Sequence, residues 1–499
     1  MLAKLPTELT LAILSYLQLP SVVSLRLVCR SWNVWILTNE NTVYHNAAAR
    51  QGYIPTSETH WSDVPPLYSA HALQGVDNWK KLCQRRTQIN NSWRGYGPSR
   101  RQDYVIVSPG THRIKVDEAR GFIITSSSIG GIVITDLDTD SLLFALPPTY
   151  VRPWAHVEYG NGFLAFDRFR GMKEVWRCAS DVTPESRSDV VEEARPDRQQ
   201  EYAGATVAEQ YETSSDHCRG HFRPWALLRA GDTNTTAFRL VYPTLLAAAV
   251  DTAYAWDVRT GVLCRRFNHI NRDTWDPVAD AAIGWWDTIT YVDVGERYAL
   301  VCGDTSLRLF RRDAEGDPPA ALEVLSTLPW FGRFAFMIHP EVTYRMLDDA
   351  SVLDVQRLVC DVHHEPPHNQ VVHNMFMAAH MSSCGRHLIA LLETSVLVVV
   401  PDFERVIRGE ATVHDVAFSI ALGSQRRQAK YLDYVGDKAV AVTYTGVFVV
   451  HFRNLEVTPP LISVARVRCF SNPSLLNRVT CVQRSDTGLY VTWNPDEEA

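Results

Sequence analysis

The side chains most suggestive of chemistry lie in the second half of the chain. His363, His364, His368, His373 and His380 fall close together, with Asp361 and Glu365 beside them. Imidazole is a common metal ligand. The spacing is irregular, however, and Pro366-Pro367 marks a loop. The segment therefore reads as a polar excursion, or a loop whose charge follows pH, and no metal site is assigned. Three arginine doublets, Arg265-Arg266, Arg311-Arg312 and Arg426-Arg427, offer a second chemistry. On one rim they would grip a phosphorylated motif of a bound target through bidentate contacts. Scattered, they are solvated charges, and no spacing rule places them on a common face.

No catalytic signature accompanies them. The chain has no Gly-x-Ser-x-Gly, no P-loop, no Gly-x-Gly-x-x-Gly after a strand and no His-Glu-x-x-His. Its ten cysteines include no Cys-x-x-Cys, so neither a zinc ribbon nor a thioredoxin-like site is expected. They read as reduced, mostly buried small hydrophobes. A non-catalytic binding protein without a cofactor is the expectation.

Composition bounds the rest. Over 499 residues, 46% are apolar and 21% charged, which suits a folded globular chain. The net charge of -7 and the pI near 6.2 argue against general nucleic-acid binding. No stretch approaches the ~18 apolar residues of a membrane span, so cytoplasm or nucleus is expected.

From about residue 102 the chain alternates short β-branched and aromatic runs with Gly, Asp and Asn turns. Gly121–Thr125, Gly131–Asp136 and Ser141–Phe144 form one unit of three strands. Pairs of runs recur at Leu245–Ala248 with Ala253–Asp257, at Tyr298–Cys302 with Leu307–Arg311, and at His387–Leu391 with Val396–Val400. Further pairs are Lys438–Thr443 with Val447–Phe452, Phe163–Phe166 with Glu174–Arg177, and Val479–Val482 with Leu489–Trp493. Gly160-Asn161-Gly162 suits a type I′ turn. Seven such hairpins predict a β-propeller over residues 99–499, most simply with seven blades that stack to share a core. Two insertions interrupt it, at 179–222 and at about 326–378. The first is acidic, with ten carboxylates against three arginines between Ala179 and Asp216, enough to account for the whole net charge. Few bulky apolar residues occur there, so a solvated loop is expected.

The N-terminal fifty-odd residues differ. Leu9, Ile13, Leu14 and Leu17 recur at helical spacing. Pro20 suits the first turn of a second helix, Trp32, Trp35 and Ile36 mark a third, and a fourth runs from Glu40 to Arg50 and stops at Gly52. Helices this short need partners to stay folded. A connector over 52–98 follows, loop-like and then helical and basic from Val76 to Ile89. The whole is an α plus all-β multidomain chain, divided at 1–51, 52–98 and 99–499.

The N-terminal block resembles an F-box. It opens Leu5-Pro6-Thr7-Glu8-Leu9, continues Ile13-Leu14-Ser15-Tyr16-Leu17, and reaches Val28-Cys29-Arg30-Ser31-Trp32 in the order that family uses. It departs at the end, with Val43-Tyr44 where Leu-Trp is common. The resemblance implies docking on a Skp-family adaptor, and through it on cullin and RING subunits of an SCF ubiquitin ligase. Leu5, Pro6, Leu9, Ile13, Leu14 and Leu17 are the contact residues it suggests, with Val28, Cys29, Trp32 and Trp35 serving the adaptor, the internal core or both. The connector, with Trp79-Lys80-Lys81-Leu82 and Trp93-Arg94-Gly95, resembles the strut of F-box/WD-repeat proteins. The strands resemble WD repeats in degenerate form: Trp256-Asp257 ends a run, Asp136-Leu137-Asp138-Thr139 echoes it, and the blades lack the Gly-His dipeptide. Together these imply a substrate receptor, or alternatively a scaffold that binds the adaptor without ubiquitin transfer.

Overall fold

The computed structural model describes residues 5–105, 110–168, 171–211, 219–231, 233–271, 287–326, 332, 334–339, 355–363, 374–423, 429–467, 470 and 472–493. Four short helices come first: α1 (Thr7–Leu14), α2 (Leu19–Val28), α3 (Arg30–Thr38) and α4 (Glu40–Arg50). Pro20 sits in the first turn of α2, where no N–H is needed. Past Gln51, Gly52 takes a φ of +68°, the left-handed conformation that commonly closes a helix.

A fifth helix, α5 (Trp79–Trp93), starts at Asn78, whose side chain accepts the Lys81 N–H at 2.9 Å. It belongs to two cores. One end puts Trp79, Leu82 and Cys83 among Leu14, Val22, Ile36, Val43 and Tyr44. The other puts Ile89 and Trp93 among Val440, Val449, Val479 and Val482.

The remainder is mainly strands. In chain order they are β1 (Thr111–Asp117), β2 (Phe122–Ser127), β3 (Ile132–Asp136), β4 (Leu142–Leu146), β5 (Val157–Gly160), β6 (Phe163–Asp167), β7 (Lys173–Cys178), β8 (Phe222–Leu228), β9 (Ala237–Val241) and β10 (Thr244–Ala248). They continue as β11 (Thr252–Asp257), β12 (Leu263–Asn268), β13 (Ile289–Val294), β14 (Tyr298–Gly303), β15 (Ser306–Arg311), β16 (Leu322–Leu325), β17 (Phe334–Met337), β18 (Val355–Leu358), β19 (Asp361–His363) and β20 (Phe376–Met381). The last are β21 (Leu388–Leu392), β22 (Val396–Val400), β23 (Phe418–Ala421), β24 (Tyr431–Val435), β25 (Lys438–Thr443), β26 (Gly446–Asn454), β27 (Leu461–Val467), β28 (Val479–Arg484) and β29 (Leu489–Trp493).

Among the described residues these form seven sheets. The first four are meanders: β1-β2-β3-β4, β5-β6-β7-β8, β9-β10-β11-β12 and β13-β14-β15-β16. The fifth runs β20-β21-β22-β23-β17-β19, the sixth β24-β25-β26-β27-β18, and the seventh is β28-β29 alone. β17 joins β23 in parallel and β18 joins β27 antiparallel, so strands from the 326–378 segment widen two sheets. The first strands of successive sheets touch in a closed circuit: β1 to β5, then β9, β13, β20, β24 and β28, which returns to β1.

Each expected hairpin is present, and Asn161-Gly162, with φ of +47° and +80°, makes the tight turn between the paired Gly160 and Phe163. Among the described cysteines, Cys83, Cys178, Cys302 and Cys481 are buried, Cys360 is half-buried, and Cys29, Cys264 and Cys384 are exposed.

The acidic segment is not the loop its composition predicts. Its described part contains α6 (Pro184–Ser188) and α7 (Arg198–Tyr211). Ala203 and Val207, with Tyr211 beside them, seat α7 against Phe144, Trp176 and Phe222. Gln200 is fully buried and donates from Nε2 to the carbonyls of Val175 (3.1 Å) and Ala226 (3.3 Å). There the β7–β8 register slips and Pro224 brings no N–H to the ladder. The amide supplies hydrogen bonds at a bulge, which order a segment poor in apolar side chains.

The connector is locked to the sheets at the C-terminal ends of β1 and β28. Arg86 forms a bidentate pair with Asp486, at 2.9 Å from Nη2 to Oδ1. Trp93 Nε1 donates to the Asp486 carbonyl at 3.0 Å, and Ser69 Oγ to Glu118 Oε1 at 2.8 Å. Trp93→Ala should therefore cost about 3 kcal/mol, within the usual range for a buried indole. Chemical denaturation would measure it, and limited proteolysis should cut the connector of the variant first.

Candidate protein-binding interface

The seven inner strands surround a cavity of about 320 Å³. Side chains tie each strand to the next around it. Arg113 on β1 donates from Nε to His156 Nδ1 (3.1 Å) before β5, and Lys115 Nζ meets Glu158 Oε1 at 2.9 Å. Arg239 on β9 lies 3.4 Å from Glu158 and 3.8 Å from Asp293 on β13. Asp293 accepts the Met381 N–H of β20 at 2.8 Å, and the His380 ring meets the Leu432 carbonyl of β24 at 3.0 Å. Asp433 accepts the Arg484 N–H of β28 at 2.8 Å, and Gln483 Oε1 accepts the Val116 N–H of β1 at 3.1 Å.

The chemistry of this belt is internally matched. His156 Nδ1 accepts from Arg113, so its proton sits on Nε2, 3.0 Å from Glu158 Oε1. Burial holds the His156 imidazole below its ordinary range and outweighs the opposing pull of Glu158. Burial also opposes the charge of Glu158, but Lys115 and Arg239 overcome it and hold that carboxyl well below the usual range. His112, next to Arg113, is pushed down to about 3 by burial and then by the guanidinium.

Among the described residues, those the sequence singles out for anion or metal chemistry do not converge. Arg265 and Arg266 lie on β12, the edge strand of its sheet; Arg265 donates to the Gly316 carbonyl at 2.6 Å, and Arg266 sits 5.7 Å over the Tyr254 ring. Arg311 pairs with Asp313 at 2.8 Å. Arg312 donates to Thr244 Oγ1 at 2.9 Å and to the Gly295 carbonyl at 2.5 Å, tying the third sheet to the fourth. None of the four lines the cavity. Arg426 and Arg427 lie outside the described residues, as do His364, Glu365, His368 and His373. His363 and His380 occupy opposite edges of the fifth sheet, roughly 24 Å apart at ~4.8 Å per strand. No group of three or more possible ligands occurs among the described residues.

The helical block shows an apolar face. Leu9 is 53% exposed, and Leu5, Ile13, Val28, Pro6 and Cys29 are exposed with it. Leu14 is the exception and corrects the sequence assignment: it is 5% exposed, sunk among Val22, Ile36 and Tyr44, because α1 turns that side inward. Leu17, Trp32 and Trp35 are half-buried against the same core, the two indoles edge to face at 5.9 Å. Residues 2–46 match the F-box-like family.

The N-terminus is an F-box-like domain.

No curated protein matches the chain. Among solved structures, the computationally designed Ika8 protein is similar at 11% identity and a TM-score of 0.38, over 78% of this chain and all of that one. A chain of the Mitotic Checkpoint Complex is similar at 7% identity and a TM-score of 0.37, over 72% of this chain and 77% of that one. Likeness at that level carries no conclusion. The F-box-like domain exposes more apolar surface than its motifs mark: Val23, Leu27, Val34 and Leu37 also reach solvent. The signal was present in α2, where Val23 and Leu27 are one helical turn apart on the side away from buried Val22.

The belt predicts a pH dependence. The folded chain keeps His156 and His112 uncharged, and the unfolded chain protonates them near pH 6.5. The unfolded state thus binds more protons below about pH 6.5, so stability falls on acidification through that point. For His156 the slope is at most about 1.4 kcal/mol per pH unit. The Glu158 contribution has the same sign in a more acidic window, present above about pH 4.3 and lost below it. Calorimetry between about pH 7 and pH 5.5 should show a falling Tm, with a shallower slope for His156→Gln.

Proposed function

We propose that the chain is the target-recognition subunit of an SCF-type ubiquitin ligase. The F-box-like domain binds a Skp-family adaptor, which brings the cullin and RING subunits. The seven sheets are the blades of a β-propeller of degenerate WD-repeat type, and they hold the target protein. The chain performs no chemistry; it raises the concentration of target lysines near the ligase's active partner. Cytoplasm or nucleus is the setting this reading requires.

The observation that carries it is the F-box-like match over residues 2–46 combined with what α1 does with its leucines. Leu14 completes the internal core, so Leu5, Leu9 and Ile13 have no internal partner of that kind and remain outside. Contiguous exposed apolar surface on a small domain marks an interface. The closed circuit of inner strands and the belt around its cavity support the propeller reading.

Leu9→Asp and Ile13→Asp should each weaken adaptor binding at least about a hundredfold, roughly 2.7 kcal/mol. Their unfolding free energy should stay within about 0.5 kcal/mol of the parent, as for other surface changes. Leu14→Asp should instead unfold the helices, because it buries an unpaired charge. Isothermal titration with purified adaptor and denaturant melts would measure both. A parent chain that does not bind adaptor sinks the reading, and a complex that recruits adaptor but never cullin favours the scaffold alternative.

A further inference from the structure

We propose that Trp154 anchors the target on the sheets, at the end of the cavity away from the F-box-like domain. The segment held there is an extended peptide with an aromatic or aliphatic side chain beside carboxylates. This deepens, and rests on, the target-recognition reading above.

Trp154 has a φ of +58°, a conformation that bulky side chains avoid. Such residues are strained and persist where the surroundings over-determine them. The fold gains little burial in return, since the indole is 51% exposed. Its one aromatic neighbour among the described residues is His112, edge to face at 5.2 Å. A strained tryptophan that stays largely in solvent is explained by something outside the chain.

The backbone around it is held from several sides. Trp154 N–H donates to the Ser127 carbonyl at 3.2 Å, and Ser126 Oγ to the Ala155 carbonyl at 2.7 Å. Gly131 N–H donates to the Val151 carbonyl at 3.1 Å. Gly130, with φ of +98°, approaches so closely that a Cβ would stand 2.6 Å from the Val151 oxygen. The same turn carries Ile129, itself 61% exposed. A rigid aromatic with an aliphatic side chain on the turn pinned to it is the form binding hot spots take.

The charge of the partner follows from the neighbouring ion pairs. Asp167 is 8% exposed and receives two cations, Lys173 Nζ at 2.5 Å and Arg152 Nη2 at 3.0 Å. The carboxylate and the lysine are buried, whereas the Arg152 side chain is 33% exposed. One negative charge shared by two positive ones leaves a cationic surplus, and Arg152 presents it to solvent two residues from Trp154. Position agrees with this use. Trp154 precedes β5 and contacts His112 near the start of β1, whereas the connector grips Glu118 and Asp486 beyond the far ends of β1 and β28.

The test uses the full chain and a fluorescein-labelled peptide, Gly-Ser-Phe-Asp-Asp-Gly-Ser, read by fluorescence polarisation. Saturable binding is expected, at least about tenfold weaker when Phe becomes Ser or both Asp become Asn. Trp154→Gly and Trp154→Asn should abolish binding while Tm holds or rises, since both residues tolerate the left-handed region. Arg152→Glu should weaken it by a similar factor. A parent chain that binds no peptide, variants that bind as the parent does, or a Tm that falls in both Trp154 variants would each overturn the anchor. So would a phosphorylated control peptide bound equally with and without Trp154. Adaptor titration of the same samples keeps the readings separate: adaptor binding without peptide binding removes the anchor alone, and peptide binding without adaptor binding removes the ligase reading alone.

Discussion

Trp79 and Trp93 stand at opposite ends of α5 and are buried in different cores, one helical and one built on strands. The helix has fifteen residues, so those ends are separated by roughly 21 Å at ~1.5 Å per residue. Neither core is complete without it. The four short helices bring few apolar residues each and take Trp79, Leu82 and Cys83 to close. The seventh sheet has two described strands where the others have at least four, and Ile89 and Trp93 cover what it would otherwise expose. A helix shared in this way cannot bend freely, because movement at one end strips apolar surface at the other. Arg86 adds direction to that coupling: its fork fixes the rotation of α5 against the Asp486 turn, and its face rests 4.6 Å over Tyr68.

The belt around the cavity solves a different problem. A sheet pairs its own strands by backbone hydrogen bonds, but nothing in the backbone ties the first strand of one sheet to the first of the next. Here those ties are side chains, and most are charged. Buried ion pairs contribute little net stability because desolvation offsets their attraction. What they fix is registry. Glu158 faces Lys115 from one side and Arg239 from the other, and a shift of either neighbour leaves a charge unpaired. Apolar side chains at the same positions would tolerate sliding and would fill the cavity.

This explains which parts of the fold could be read from the sequence. The hairpins were legible because their strands are buried on both faces and read as apolar runs, such as Phe122–Ser127 and Val396–Val400. Most of the inner strands were not, because Arg113, Lys115, Glu158, Arg239, Asp293 and Asp433 interrupt them with charge that serves the belt. The F-box-like helices were legible from i, i+4 spacing and from Gly52. Which leucine of α1 faces inward was not: Ile13 and Leu14 are adjacent, and only packing against Val22 and Ile36 chooses Leu14. The acidic segment misled because composition counts apolar residues and cannot see Gln200 closing a bulge. Closeness in sequence says little about closeness in space: His363 and His380, the described members of the histidine segment, lie on strands at opposite edges of one sheet.

These constraints give the molecule a polarity. The connector touches the strands where β1 and β28 end, and Trp154 stands near where β1 begins. β1 has seven residues, so the two places are separated by a strand of roughly 23 Å at ~3.3 Å per residue. With α5 holding the helical domain rigidly, its exposed leucines and the exposed indole keep a fixed separation and a fixed relative direction. Under the proposed function the chain acts by tethering, which gains most when the spacer cannot collapse or swing, since effective concentration depends on how well the span matches the two sites. The buried tryptophans at the ends of α5 and the charged belt are therefore parts of one device: the first fixes where the helices point, and the second keeps the opposite face from shearing.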